Sequence, residues 1–151
     1  MSDQEIKQRV QEQFGATAQS YVTSPGHAHG DDLARMLELA SPRGPEHMLD
    51  IATGGGHTAL AFAPHVQSVV ASDLTPAMLA AAEAFIRGRG AANVRFERAD
   101  AEALPFADAS FDLVTTRIAP HHFPNPARYV AEVARVLRPG GRFVLNDNMA
   151  P

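Results

Sequence analysis

Apolar and polar positions along the chain change their period twice, and those changes outline its elements. Residues 3–13 are mostly polar with scattered apolar positions, which predicts a short surface helix. The segment GATAQSYVTSPGHAHG, residues 15–30, holds no sustained period and reads as an arm. In DDLARMLELAS, Leu33, Met36, Leu37 and Ala40 recur at helical spacing behind two acids that favour a helix start. PRGPE then reads as a turn. Beyond it, short apolar runs alternate with glycine turns and helical patterns. Strands are predicted at 47–52, 66–73, 93–100, 111–118 and 142–148. A helix from about Thr58 is limited by Pro64. A second has Thr75 as its N-cap and Pro76 at its first position, and closes near Gly90. A third, ARYVAEVARVL, follows Asn125 and Pro126 and stops before RPGG.

Strands alternating with helices imply parallel pairing through right-handed crossovers, with both faces of the sheet covered. The expected fold is a doubly wound α/β domain with a mostly parallel five-stranded sheet. It divides into residues 1–30, a helix and arm, and residues 31–151, the α/β unit. Ligands of such sheets sit beyond the carboxyl ends of the strands, near the point where the strand order reverses. The candidate positions are therefore 50–56, Asp73, Asp100 and 117–122. Three of those strand ends carry an aspartate.

Composition narrows the function classes. The formal net charge of −4 comes with no basic run, which argues against nucleic acid as a partner. With no cysteine, thiolate metal sites and cysteine nucleophiles are excluded. The polar start lacks the apolar core of a signal peptide, and no run reaches the length of a membrane span, so the cytoplasm is the expected location.

The stretch LDIATGGGHTALA decides between two ligand chemistries. From Gly54 it fits G-x-G-x-x-A, the turn that cradles a pyrophosphate in a dinucleotide fold. Asp50, however, ends the same strand, and like charges about 5 Å apart in a partly buried site cost on the order of 1–3 kcal/mol. A carboxylate there suits a ligand carrying a cation. S-adenosylmethionine has an ammonium, a sulfonium and no phosphate. Its ribose hydroxyls suit Asp73, and its adenine amino group suits Asp100.

LDIATGGG, VVASDLTPAML, RADAEALPFADASFDLV and VARVLRPGGRFVL occur in that order. Together they resemble the class I S-adenosylmethionine-dependent methyltransferases, in particular the ubiquinone/menaquinone-biosynthesis type, from about Tyr21 onward. The resemblance implies that Asp50 and the backbone around Ala52, Gly54 and Gly56 hold the methionine end of the cofactor. It places Leu74 and Met78 against the adenine, Asp73 on the ribose, and Asp100 and the Ala101 N–H on the adenine edge. Arg117 and Ile118 border the reacting methyl. It also implies an N-terminal lid, for which Tyr21 and SPGHAHG are the candidates. Plainer readings stand beside these: a tight turn at the glycines, caps at Asp73 and Asp100, core packing at Met78, and a structural Asp112.

Seven histidines raise the question of a metal. His27 and His29 are two apart and His121 and His122 adjacent, and neither spacing places two imidazoles on one helix face. No metal is expected. His121 or His122 would instead serve as a base toward an acceptor, or pack beside Phe123. Methyl transfer is an in-line displacement from an electrophile that needs alignment and dryness more than a base.

The family's sheet has seven strands, whereas this chain stops after the fifth. The exposed fifth strand is expected to pair with a partner, possible in a homodimer. The leading expectation is methyl transfer to a small-molecule acceptor. The rivals are a non-catalytic cofactor-binding fragment or interaction module and an NAD(P)-dependent oxidoreductase.

Overall fold

The computed structural model describes residues 1–23 and 30–148. Its helices are α1 (Asp3–Ala16), α2 (Ala18–Thr23), α3 (Asp31–Ala40), α4 (His57–Phe62), α5 (Pro76–Gly88) and α6 (Pro126–Val136). The strands are β1 (His47–Ile51), β2 (Ser68–Asp73), β3 (Val94–Arg98), β4 (Phe111–Arg117) and β5 (Leu137–Asn146). They form one sheet in the order β3-β2-β1-β4-β5, with every pair parallel. The α/β expectation holds, and the order reverses between β1 and β4.

Strand periodicity explains the two-sided core. On β1, β2 and β4, Met48, Val69 and Leu113 face a cluster with Met36 of α3, Phe62 of α4 and Ile86 of α5. The next residues, Leu49, Val70 and Val114, face the opposite cluster with Tyr129, Val133 and Val136 of α6. Successive strand side chains point to opposite faces, so an uninterrupted apolar run is what a sheet covered on both sides requires.

Three boundaries differ from the sequence reading. Helix α1 runs to Ala16, started by a Ser2–Glu5 capping box, and α2 follows where residues 18–23 read as arm. Ala18 and Val22, four apart, are buried, so tertiary packing supplies what the polar sequence hides. Thr75 does sit at the N-cap of α5, but its side chain makes no cap bond; its N–H donates to Asp73 Oδ1 at 2.9 Å. Strand β5 begins before RPGG, because Leu137 already pairs with Phe111 and pairing resumes at Arg142 with Leu113. The glycines permit that bulge: Gly140 has φ +80°, and a Cβ on Gly141 would lie 2.8 Å from the Arg138 carbonyl oxygen. Asp112 is structural, accepting from the His47 N–H and from Arg138.

No helix among the described residues is long and apolar enough to cross a membrane.

Candidate functional site

The carboxyl ends of β1, β2 and β4 open onto a cavity at the reversal of strand order, where ligands of such sheets bind. Its floor is the turn after β1. Ala52 has φ +55° and Gly54 φ +55°, and the Gly56 N–H closes the turn on the Thr53 carbonyl at 2.9 Å. Across the cavity, Ile118 follows β4 with φ +53°. A β-branched residue there is strained, and such strain concentrates where a backbone must serve a ligand.

Asp73 ends β2 and lines the cavity. Its Oδ2 accepts from the Gly54 N–H at 3.0 Å and its Oδ1 from the Thr75 N–H, so it braces the glycine turn. Burial pushes its pKa up, against those backbone bonds. Leu74 and Met78 lie beside it, with Met78 Cε 3.4 Å from where a Gly54 Cβ would stand. Asp100, after β3, accepts from the Glu102 N–H at 2.9 Å and from Lys7 Nζ at 2.8 Å. Ala101 completes that wall. Arg117 Nε donates to Asp32 Oδ2 at 2.7 Å and its Nη2 to Oδ1 at 3.1 Å, a bidentate pair between β4 and α3.

Three expected site residues do not line the cavity. Asp50 is 1 % exposed, and its two oxygens accept from Thr53 Oγ1 and Thr115 Oγ1 at 2.7 Å each. Strand parity is the reason: Leu49 and Ile51 face α6, which turns Asp50 to the other face, beneath the glycine turn. Desolvation there raises its pKa to about 6, against the two hydroxyl bonds. Gly56 serves helix packing, since a Cβ would stand 2.8 Å from Ile86 Cδ1 and 3.1 Å from Ala82 Cβ. His121 is turned to Asp147, which accepts from its N–H at 2.8 Å and pairs with its Nδ1 at 2.6 Å. His122 does line the cavity, 5.0 Å from the Phe14 ring in edge-to-face contact. Burial and the neighbouring His121 lower its pKa, so its neutral imidazole faces the cavity. His27, His29 and most of SPGHAHG lie outside the described residues, as does the side chain of Tyr21. No group of three or more metal-ligating side chains occurs among the described residues.

The helix expected at residues 3–13 is there as α1, but sequence reasoning missed its part in the cavity. Lys7, Val10 and Phe14 line the cavity from one helix face, at i, i+3, i+7 spacing. It also missed His57, whose Nε2 meets the Val22 carbonyl at 2.7 Å and ties α2 to the start of α4.

The donor set favours one ligand chemistry. Asp73, Asp100 and Glu102 present carboxylates, while the lining cations Lys7 and Arg117 are committed to acids. Such a wall accepts hydroxyls, an amine and a positive centre, and opposes a pyrophosphate.

Residues 49–145 match the family model described as a methyltransferase domain. The uncharacterised methyltransferase YcgJ of Bacillus subtilis is 46% identical over 138 residues, 91% of this chain and 54% of that protein. A demethylmenaquinone methyltransferase of Thermus thermophilus is 43% identical over 120 residues, 78% of this chain and 54% of that one. The crystal structure of Bacillus subtilis YcgJ superposes with a TM-score of 0.79 at 47% identity, over 82% of this chain and 53% of that chain. The chain thus spans about half the length of these relatives. Matching motifs, sheet and cavity together, the chain belongs to the class I S-adenosylmethionine-dependent methyltransferases of the ubiquinone/menaquinone-biosynthesis type.

Proposed function

We propose that this chain is the cofactor-binding part of a methyltransferase that moves a methyl group from S-adenosylmethionine to a small-molecule acceptor by in-line displacement. The observation that carries this reading is the acid-lined cavity beside the glycine turn, with its lining cations already paired. Bound there, S-adenosylmethionine supplies an electrophilic methyl on a sulfonium.

The chain's own residues then bind and orient. Asp73 takes the ribose hydroxyls, with Leu74 and Met78 flanking the adenine. Asp100 takes the adenine amino group, and the Ala101 N–H a ring nitrogen. The backbone of Ala52 and Gly54 meets the methionine end. Asp50 acts on it through charge rather than contact, since its carboxylate is buried under the turn. Arg117 and Ile118 border the reacting end. His122, neutral and turned to the cavity, is placed to take a proton from an acceptor, with His121 and Asp147 behind it.

A second reading, a part that binds cofactor without turnover by itself, is favoured by the chain's coverage of about half its relatives. One titration addresses both the pocket and the oxidoreductase rival: S-adenosylhomocysteine against this chain, with NADH and Asp73→Ala as controls. Micromolar binding that Asp73→Ala weakens tenfold or more, about 1.4 kcal/mol, is expected. Binding of NADH instead, or none by the folded chain, would overturn the cofactor assignment. Product formed with any acceptor in a panel would remove the non-catalytic reading.

A further inference from the structure

Lys7 is the charged residue that α1 contributes to the cavity wall. Its ammonium lies 2.8 Å from Asp100 Oδ2 and 3.4 Å from Glu102 Oε1. The two acceptors differ. Asp100 is already engaged at its other oxygen by the Glu102 N–H. Glu102 is buried, gives Oε2 to the Asn125 N–H at 3.2 Å, and leaves Oε1 with no hydrogen-bond partner. A buried carboxylate oxygen held only by an ion pair at 3.4 Å still lacks a hydrogen-bond donor, and a small shift of the same ammonium would supply it. Other contacts also hold α1: Gln11 accepts from Arg98 Nη2 at 3.1 Å, and Phe14 meets the His122 ring. Moving the Lys7 side chain therefore does not require α1 to leave.

We propose that Lys7 is a self-ligand of the cavity, its ammonium resting on Asp100 until a cofactor's amino group displaces it onto Glu102 Oε1. The inference rests on the reading of this cavity as an S-adenosylmethionine site. An ammonium and an aromatic amine are both donors to a carboxylate, so they compete for Oδ2 of Asp100. The buried Oε1 of Glu102, 3.4 Å from the resting ammonium, is the second seat, and it keeps the displaced charge paired inside the wall. Resting and displaced positions differ by a swing of one flexible side chain. The resting pair lowers apparent affinity by the fraction of molecules in which Asp100 is blocked.

Two substitutions move binding in opposite directions. Lys7→Met frees Asp100, so S-adenosylhomocysteine associates faster and binds about two- to fivefold tighter, the range of a partly exposed ion pair. Glu102→Gln keeps an oxygen for the Asn125 N–H but weakens the second seat, so binding loosens. Stopped-flow kinetics and titration calorimetry read both. Weaker or unchanged binding by Lys7→Met overturns the proposal, because a lysine that merely held α1 in place would give that result. If no folded form binds S-adenosylhomocysteine, the cofactor reading fails, and amide exchange in the unliganded protein decides for Lys7. Unchanged protection across α1 in Lys7→Met then keeps Lys7 as a movable side chain that α1 does not depend on. A loss of protection across α1 makes Lys7 an anchor and overturns the proposal.

Discussion

At the scale of single residues, Asp50 carries the largest electrostatic burden. Its carboxyl is fully buried with two threonine hydroxyls for partners, and desolvation raises its pKa to about 6. The nearby Asp73 raises it further, and Arg117 lowers it. An unfolded aspartate titrates near 3.9, so the fold prefers the protonated form. The resulting stabilisation is fully present below about pH 3.9 and is lost as pH rises through about 6. Asp50→Asn removes this dependence while keeping an acceptor for one hydroxyl. Relative to the unsubstituted protein, the variant is expected to gain about 2 kcal/mol between pH 4 and pH 8. Urea unfolding of both proteins at the two pH values measures this. A constant difference between them would mean that Asp50 titrates alike in the folded and the unfolded chain. The same variant should bind S-adenosylhomocysteine more weakly at pH 8, since the charge that offsets an ammonium is gone. A buried carboxylate kept at such cost makes sense only beside a cation.

At the scale of elements, the glycine turn divides into residues that serve the cavity and one that serves packing. Gly56→Ala meets both a φ of +88° and Ile86 Cδ1 at 2.8 Å. Gly90→Ala meets φ +79° with open space around it. The first is expected to cost about 2–4 kcal/mol, left-handed backbone plus overpacking, and the second about 1 kcal/mol from the backbone alone. Equal losses in urea unfolding would mean that the turn moves away from α5 without penalty. This division also marks how far the sequence could be read. The strands were legible because β1, β2 and β4 are covered on both faces and so read as continuous apolar runs. Asp73, Asp100 and Gly54 were legible as cavity-lining positions because a doubly wound sheet sends its strand ends to one rim. Asp50 was assigned to the rim although the parity of Leu49 and Ile51 already turned it beneath the turn. Helix α2 was hidden because GATAQSYVT has weak local preference and is held by contacts far along the chain, such as Val22 to His57. Lys7 was hidden because a lone lysine on a polar helix ordinarily faces water. Only the fold brings it to Asp100, 93 positions away.

At the scale of the whole molecule, the order β3-β2-β1-β4-β5 puts the cavity near the middle of the sheet and leaves β5 at a rim. Among the described residues no strand pairs with the outer edge of β5. That strand runs for ten residues, and beside the buried Val144 it shows Leu145 47 % exposed. A long edge with apolar side chains is a template for pairing. A second copy offers the same edge, and an isologous two-fold contact would join two sheets through it. Light scattering on the eluting protein at high concentration is therefore expected to give the mass of a dimer. Leu145→Lys, which puts a charge on the edge without touching the core, should return it to a monomer with unchanged circular dichroism. A clean monomer before substitution would refute the edge pairing. If dimerisation also tightens S-adenosylhomocysteine binding, the two properties are linked through β4, whose Arg117 borders the cavity and pairs with Asn146 of β5. Binding that does not vary with protein concentration would instead make the edge contact independent of the site.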